Sequence, residues 1–371
     1  MKRIFNLLSI STLLMAALIT SCNPIVPETE KKLYSVTSFY LLNEGNMGAN
    51  NASLDFYNYE TKNFSLNIFS DVNPNIVGGL GDIGNDLQIY GNKLYAVLNG
   101  SGLVRVMDAK TAHFIGNIEV EGCRYVNFYN GKAYISSYAD ATPEDGNKLG
   151  FVVEADTATL KVLRKVNVGY QPEEIEFVNG KMYVANSGGF TMTYDNTISV
   201  VDLQSFTEIK KIPVSVNLCN LRKDSYGKLY ALGRGNYGGI DPNIYVIEND
   251  AMVKKLGIYA STFCISGDSM YILSNETDWT TWETVAKYVL YDIVKKEVVT
   301  ENFITDGTEA NITTSYSIAV NPISKEIFIT DAKYYSSRGE LFCFSSEGKK
   351  LWSVNTGACP IRMAFLQEEQ K

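Results

Sequence analysis

The chain has almost none of the residues on which most hydrolytic and metal chemistry depends. It carries one histidine, His113, in 371 residues. A single imidazole cannot build a His-rich zinc centre or a pair of catalytic histidines. His113 is also expected in a short turn remote from the irregular loops, so a Ser-His-Asp triad has no place to form. The 6 cysteines show no CxxC or other metal spacing. Basic charge is in deficit, with 33 Lys+Arg against 41 Asp+Glu and a net charge of −8. Nucleic acid and anionic membrane surfaces would be repelled, so no nucleic-acid partner is expected. The one long apolar run, Leu7 to Ile19, is too short to span a bilayer comfortably. Proline is scarce at 9 residues, whereas Gly 29, Tyr 24 and Phe 17 are plentiful. That balance favours many strands joined by tight turns.

The first stretch reads as a leader. Lys2 and Arg3 precede the apolar run, which ends Leu18-Ile19-Thr20-Ser21-Cys22. This resembles the bacterial lipobox, where cleavage precedes a cysteine that carries the lipid. Residues 1–21 are therefore expected to be a lipoprotein signal peptide. Cys22 is the expected lipidation site, residues 22–32 a tether, and residues 33–371 the folded domain. Membrane contact would run through acyl chains alone, each buried CH₂ adding about 0.8 kcal/mol. Beyond Cys22 an odd number of cysteines remains, Cys123, Cys219, Cys264, Cys343 and Cys359, which cannot pair completely. Small apolar residues buried in strands are the expected role.

A turn-plus-strand phrase recurs along the rest of the chain. It stands at Gly91-Asn92-Lys93-Leu94-Tyr95, Asn130-Gly131-Lys132-Ala133-Tyr134, Asn179-Gly180-Lys181-Met182-Tyr183 and Tyr226-Gly227-Lys228-Leu229-Tyr230. Weaker copies end at Tyr271 and Phe328, and the aromatic positions are 39, 49, 47, 41 and 57 residues apart. Asn-Gly supplies the positive φ angles of a two-residue hairpin, and the alternating residues beyond it form the returning strand. A second phrase, an apolar strand running into an acidic or polar turn, occurs in seven copies from Leu54-Asp55-Phe56-Tyr57 to Leu341-Phe342-Cys343-Phe344. No segment has a convincing helical period. The predicted fold is all-β, a seven-bladed β-propeller of four-stranded blades. Pro360 to Leu366 reads as the innermost strand that the first unit lacks, so the C-terminal strand is expected to close the ring.

In such a ring the hairpin turns share one end and the longer loops share the other. The loops span Asn43 to Ser53, Ser136 to Leu149, Asn186 to Thr197, Gly233 to Asn243, Ser274 to Lys287 and Asp331 to Glu340. Irregular loops on a rigid scaffold are where binding resides. They carry Asn46, Met47, Tyr138, Phe190, Tyr194, Asn236, Tyr237, Trp279, Trp282, Tyr334 and Tyr335. Aromatic rings give contact area at small entropy cost, and amides orient a ligand. The blade entrances add Asp82, Arg124, Tyr125, Tyr170, Gln171, Glu173, Glu174, Arg222, Tyr316 and Arg362 at the channel mouth. The ligand-binding set drawn from both groups is Asn46, Met47, Asp82, Tyr125, Tyr138, Gln171, Phe190, Tyr194, Tyr237, Trp279, Trp282, Tyr316, Tyr335 and Arg362. No catalytic residue, metal ligand or cofactor is assigned, although Asp, Glu and Asn side chains would suffice for a calcium-assisted lactonase. Gly-rich Val77 to Gly84 and Gly233 to Gly239 lack the end of a phosphate loop and read as turns.

The unit Asn179-Gly180-Lys181-Met182-Tyr183-Val184-Ala185-Asn186, followed by Ile198-Ser199-Val200-Val201-Asp202, resembles the YncE-like seven-bladed propellers. With the lipobox and the opening Leu41-Leu42-Asn43-Glu44-Gly45-Asn46, the likeness extends to surface lipoproteins that include the BtuG-like corrinoid capture proteins. The resemblance implies a non-catalytic propeller, lipid-anchored on the outside of a bacterial outer membrane. It also implies a corrinoid (vitamin B12) ligand and a TonB-dependent outer-membrane transporter as partner. Capture or adhesion for a glycan, haem or peptide is the alternative, and a metal-assisted lactonase a further one. With no histidine on the loop end, a corrinoid would be held by its corrin edge, amides and nucleotide tail and not by coordination of cobalt.

Overall fold

The computed structural model describes residues 33–138, 148–189, 194–278, 280, 281 and 283–370. The leader, Cys22, Phe190, Trp279 and Trp282 lie outside the described residues. Tyr34–Lys371 forms a compact unit of its own. It consists of seven antiparallel sheets of four strands each. Blade 1 pairs the C-terminal strand Pro360–Glu369 with Tyr34–Asn43, Ser53–Asn58 and Asn63–Ser65. Blade 2 is Gly84–Tyr90, Lys93–Leu98, Leu103–Asp108 and Phe114–Glu119, and blade 3 is Cys123–Tyr129, Lys132–Ser137, Phe151–Asp156 and Val162–Asn167. Blade 4 is Pro172–Val178, Lys181–Asn186, Thr197–Asp202 and Thr207–Pro213. Blade 5 is Leu218–Lys223, Leu229–Gly233, Asn243–Glu248 and Ala251–Lys255. Blade 6 is Thr262–Ser266, Ser269–Thr277, Thr284–Asp292 and Glu297–Thr300, and blade 7 is Ser315–Val320, Ile327–Asp331, Arg338–Phe344 and Lys350–Ala358. The innermost strands touch in that order and the last touches the first, so the ring is closed. Tyr34–Asn43 pairs with the C-terminal strand along its length, from Tyr34↔Glu369 to Asn43↔Pro360. The closure read from the sequence is the observed one. Among the described residues no helix is long and apolar enough to cross a membrane.

The repeated aromatic has a definite task. Tyr40, Tyr95, Tyr134, Tyr183, Tyr230 and Phe328 each stand three residues before the end of a second strand, Tyr271 holds the equivalent place in the longer second strand of blade 6, and all are buried. Strand alternation sends each ring into the core shared with the next blade, while the residues beside it face the previous one. Tyr95 thus joins Val126 and Ala133 of blade 3, whereas Leu94 and Ala96 join Leu42 and Leu54 of blade 1. Phe328 of blade 7 packs on Phe39 of blade 1 at 5.2 Å between ring centroids. The seven hydrophobic cores therefore lie between blades and none lies within one. A blade without its neighbours would expose both faces.

One end of the ring closes its reversals mainly with local chemistry, to which contacts between blades are added, such as Lys181 and Tyr183 on Asp250. Asn130 and Gly131 have φ of 47° and 76°, and Asn179 and Gly180 have 50° and 75°, the two positive angles of a type I′ hairpin. Gly91 and Gly267 open their loops at 60° with the following residue on the negative side, as in a II′ turn. Where the third strand leaves the sheet, Asp108, Asp156 and Asp292 each accept the backbone N–H groups two and three residues on, and Asp202 accepts that of Ser205. These Asx turns all end on a residue at positive φ: Ala112, Leu160, Phe206 and Lys296. His113 is exposed in one of them.

The loop end departs from expectation in blade 6. Ser274 to Lys287 is a projecting hairpin and not an irregular loop, with Ser274↔Lys287 to Thr277↔Thr284 in register. Cross-strand Thr277 and Thr284 hydroxyls meet at 2.9 Å, and Asp278 caps the tip through the Thr280 N–H at 2.7 Å. Local pairing of β-branched residues extends the sheet by about four residues, roughly 13 Å.

Candidate ligand-binding site at the channel mouth

The mouth is built by a backbone irregularity that repeats. In six of the seven blades the innermost strand loses register with the second strand one or two residues after it starts. The residues left out of the ladder are Asn85, Arg124 and Tyr125, Glu173 and Glu174, Cys219, Tyr316 and Ile361. A bulge re-aims side chains, and here it turns polar groups into the channel. Just before five of the six bulges, Ile83, Gly122, Gln171, Asn217 and Cys359 sit at φ between 47° and 62°. Their carbonyls receive the N–H of the residue that follows the second strand: Asn99, Tyr138, Ser187, Arg234 and Glu44. This region is strained for a β-branched residue such as Ile83, and strain of that kind clusters at functional sites.

Bulging leaves backbone N–H groups without ladder partners: Ser136 and Thr330 hydroxyls take up those of Tyr125 and Ser317, and carboxylates take up two more. Asp86 accepts the Val126 N–H at 3.1 Å, and Glu174 accepts the Leu221 N–H at 2.9 Å. Both acids occupy the same position of the repeat and cap the next blade. Their charges are neutralised by arginines. Glu174 holds Arg222, through Nη2 at 2.9 Å, and also Arg362. Arg362 Nε stands 3.5 Å from Asp86. Glu173 accepts Arg124 at 3.1 Å and the Tyr138 hydroxyl. The side chains of Glu173 and Glu174 are 2% and 5% exposed, so losing a partner would strand a buried charge. Burial works against the Arg124 charge, but Glu173 beside it holds the guanidinium above its ordinary pKa.

The channel below the mouth is a cavity of 340 Å³ lined by Asp86, Tyr125, Glu174, Glu176, Arg222 and Arg362 among others. Burial pushes the Glu176 carboxyl up to about 7, with Lys223 pulling it back. The volume is at the lower limit of small-molecule pockets. Among the described residues no three His, Cys, Asp or Glu side chains come together as a metal site.

The residues singled out in the sequence fall into three groups. Tyr125, Tyr138 and Arg362 belong to the ionic network. Arg124 and Arg362 lie over the Tyr125 ring at 5.7 and 5.4 Å, and Arg124 lies over Tyr138 at 4.6 Å, so these rings are occupied by the protein itself. Asn46, Asp82, Gln171 and Tyr316 hold backbone or loops. Asn46 donates to the Tyr335 carbonyl at 2.9 Å, Asp82 accepts the Gly48 N–H at 2.9 Å, the Gln171 carbonyl accepts the Ser187 N–H, and Tyr316 donates to Glu44. Met47, Tyr237 and Tyr335 are open on the rim, at 85%, 62% and 50% exposure, with Tyr334 beside them and Tyr194 half-buried. These exposed groups stand on blades 1, 5 and 7 and flank the blade 6 hairpin. Two mouth residues escaped the sequence reading, Glu44 and Arg234. Each directly follows a second strand, the position of Tyr138, and aligning the units on that position would have found them. Cys123, Cys219, Cys264, Cys343 and Cys359 are free thiols, four of them buried and Cys264 half-buried.

A family model described as a domain of unknown function, DUF5074, matches residues 37–357. The chain belongs to this family. No curated protein sequence resembles it significantly. Solved propellers resemble this DUF5074 chain in fold at low identity. A quinonprotein alcohol dehydrogenase-like protein from Bacteroides thetaiotaomicron is 15% identical, with 89% of this chain and 78% of that one covered at a TM-score of 0.61. The periplasmic gluconolactonase PpgL of Pseudomonas aeruginosa is 11% identical, with 89% and 99% covered at 0.59. A putative 6-phosphogluconolactonase from Bacteroides fragilis is 9% identical, with 89% and 98% covered at 0.58. At these identities the likeness is one of fold, which hosts many functions.

Proposed function

We propose that this DUF5074 propeller is a non-catalytic, lipid-anchored capture protein that binds a corrinoid on its loop end and passes it to a TonB-dependent outer-membrane transporter. The observation that carries the capture reading is the division of labour at the mouth. The carboxylates Asp86, Glu173 and Glu174 are consumed by arginines and backbone N–H groups. They are poorly placed to act as general bases. The exposed aromatic and thioether surface lies outside them, on the rim. A corrinoid exceeds a 340 Å³ cavity, so it would lie across the rim between the blade 5 and blade 1 loops, against the blade 6 hairpin. Trp279 and Trp282, which stand between Asp278 and Glu283 in the sequence, are the further ligand contacts expected from this segment. Calorimetric titration of the unit from Tyr34 to Lys371 with cyanocobalamin tests the ligand. Tight one-to-one binding is expected, and absence of heat together with an unmoved melting temperature would remove the corrinoid. Replacing Cys22 with alanine should release the chain from the membrane fraction, and retention there would remove the anchor.

A further inference from the structure

Of the four arginines at the mouth, three hold carboxylates. Arg234 does not. Among the described residues its side chain makes no hydrogen bond and no ion pair, and it is exposed to the solvent of the mouth. Its position is nevertheless fixed. Its N–H donates to the Asn217 carbonyl at 2.9 Å, and it stands between Gly233 and Gly235. Gly235 has φ of 72°, and a Cβ there would lie 1.9 Å from the Ile240 carbonyl oxygen. The following turn is closed by Asn236, which receives the N–H groups of Gly238 and Ile240 at 3.2 and 2.9 Å. A guanidinium with five unfilled donors is thus held on a rigid loop.

Its surroundings suit an anion. Tyr125, Tyr138, Cys219 and Glu173 lie within its electrostatic reach, and Arg124 adds like charge nearby. Glu173 is already matched by Arg124. Glu44 is the remaining acid in range, and burial pushes its carboxyl above the ordinary range, which weakens it as a counter-ion. In a chain of net charge −8, this cation has acids within reach yet forms no ion pair with them among the described residues. Its removal should cost the fold little.

We propose that Arg234 is the seat for an oxyanion, a phosphate or carboxylate group of the captured ligand, gripped bidentately at the channel mouth. The proposal rests on the loop end being the binding surface, and it adds the chemical class of one ligand group. Planar two-point contact with an oxyanion is the geometry that guanidinium favours over ammonium.

The test is titration of the Tyr34–Lys371 unit with pyrophosphate and with citrate at low ionic strength. Saturable one-to-one binding of at least one is expected, and the stronger of the two identifies phosphate or carboxylate. Arg234→Gln should weaken it roughly 10- to 100-fold with an unchanged melting temperature. Arg234→Lys should recover only part, and Tyr226→Phe on the turn end should change nothing. Absence of saturable binding of either anion, or equal binding by Arg234→Gln, would overturn the seat. Cyanocobalamin separates this from the ligand assignment. If it binds wild type and Arg234→Gln equally, the seat fails while capture stands. If an anion binds through Arg234 and cyanocobalamin does not bind, the corrinoid fails while the seat stands.

Discussion

The two ends of the ring solve the same backbone problem with different chemistry. At the turn end, most reversals are closed by residues within the turn, such as an Asn-Gly pair or an Asp that receives the N–H groups just ahead of it. At the loop end, the bulged strands leave N–H groups, and those of Val126 and Leu221 are taken by a carboxylate from another blade. The first solution is mainly local, with a few side-chain links between blades such as Tyr226 to Asp268. The second binds the blades to one another through buried charge and frees the outer loops to vary. The difference teaches where function can be placed. A rim can change its side chains without disturbing the fold only if something beneath it already fixes the backbone.

The sharpest way to break that comparison is Glu174→Ala. It strands Arg222 without a carboxylate, leaves Arg362 only Asp86 and uncaps Leu221, so denaturant unfolding should show a loss of about 3–5 kcal/mol. A loss below about 1 kcal/mol would mean that the network is not structural. Glu176→Gln should come next. The folded carboxyl titrates near 7 against an ordinary 4.5, so its cost is absent below about pH 4.5 and grows as pH rises through 7. The variant should match wild type at pH 4.5 and be more stable at pH 8.5, by at most about 3 kcal/mol. At the turn end, Gly131→Ala meets no atom within 4 Å and suffers only its positive φ, so a loss of about 1 kcal/mol is expected by the same unfolding measurement. Smallest in stability should be Tyr237→Ala and Tyr335→Ala, with melting temperatures within error of wild type. Their effect belongs in ligand affinity, a loss of roughly 5- to 30-fold each by calorimetry.

What the sequence made legible follows the same division. The hairpins could be read because Asn130-Gly131 and Asn179-Gly180 carry their stereochemistry with them. The blade count could be read because one aromatic must recur wherever one blade wedges into the next. The closing strand could be read because Tyr34–Asn43 lacked an inner partner. The mouth was legible only in part. Arg124, Glu173, Glu174 and Arg362 stood out as charges at blade entrances, yet their pairing depends on bulges that have no sequence signature. Glu44 and Arg234 come from blades 1 and 5, and only ring closure brings them to one mouth. Tyr125 and Tyr138 were read as ligand contacts, but their faces are covered by guanidinium groups. The blade 6 hairpin was read as loop because its polar strand residues, Asn275 to Thr277, resemble loop composition until paired across to Thr284.

Hydrogen exchange of the Tyr34–Lys371 unit with and without cyanocobalamin tests the central claim most directly. The expected result is slowed exchange at residues 44–52, 234–242, 278–283 and 332–337, with the hairpin turns at 91–92, 130–131 and 179–180 unchanged. Protection confined to the turn end, or none at either end, would contradict capture at the loop end.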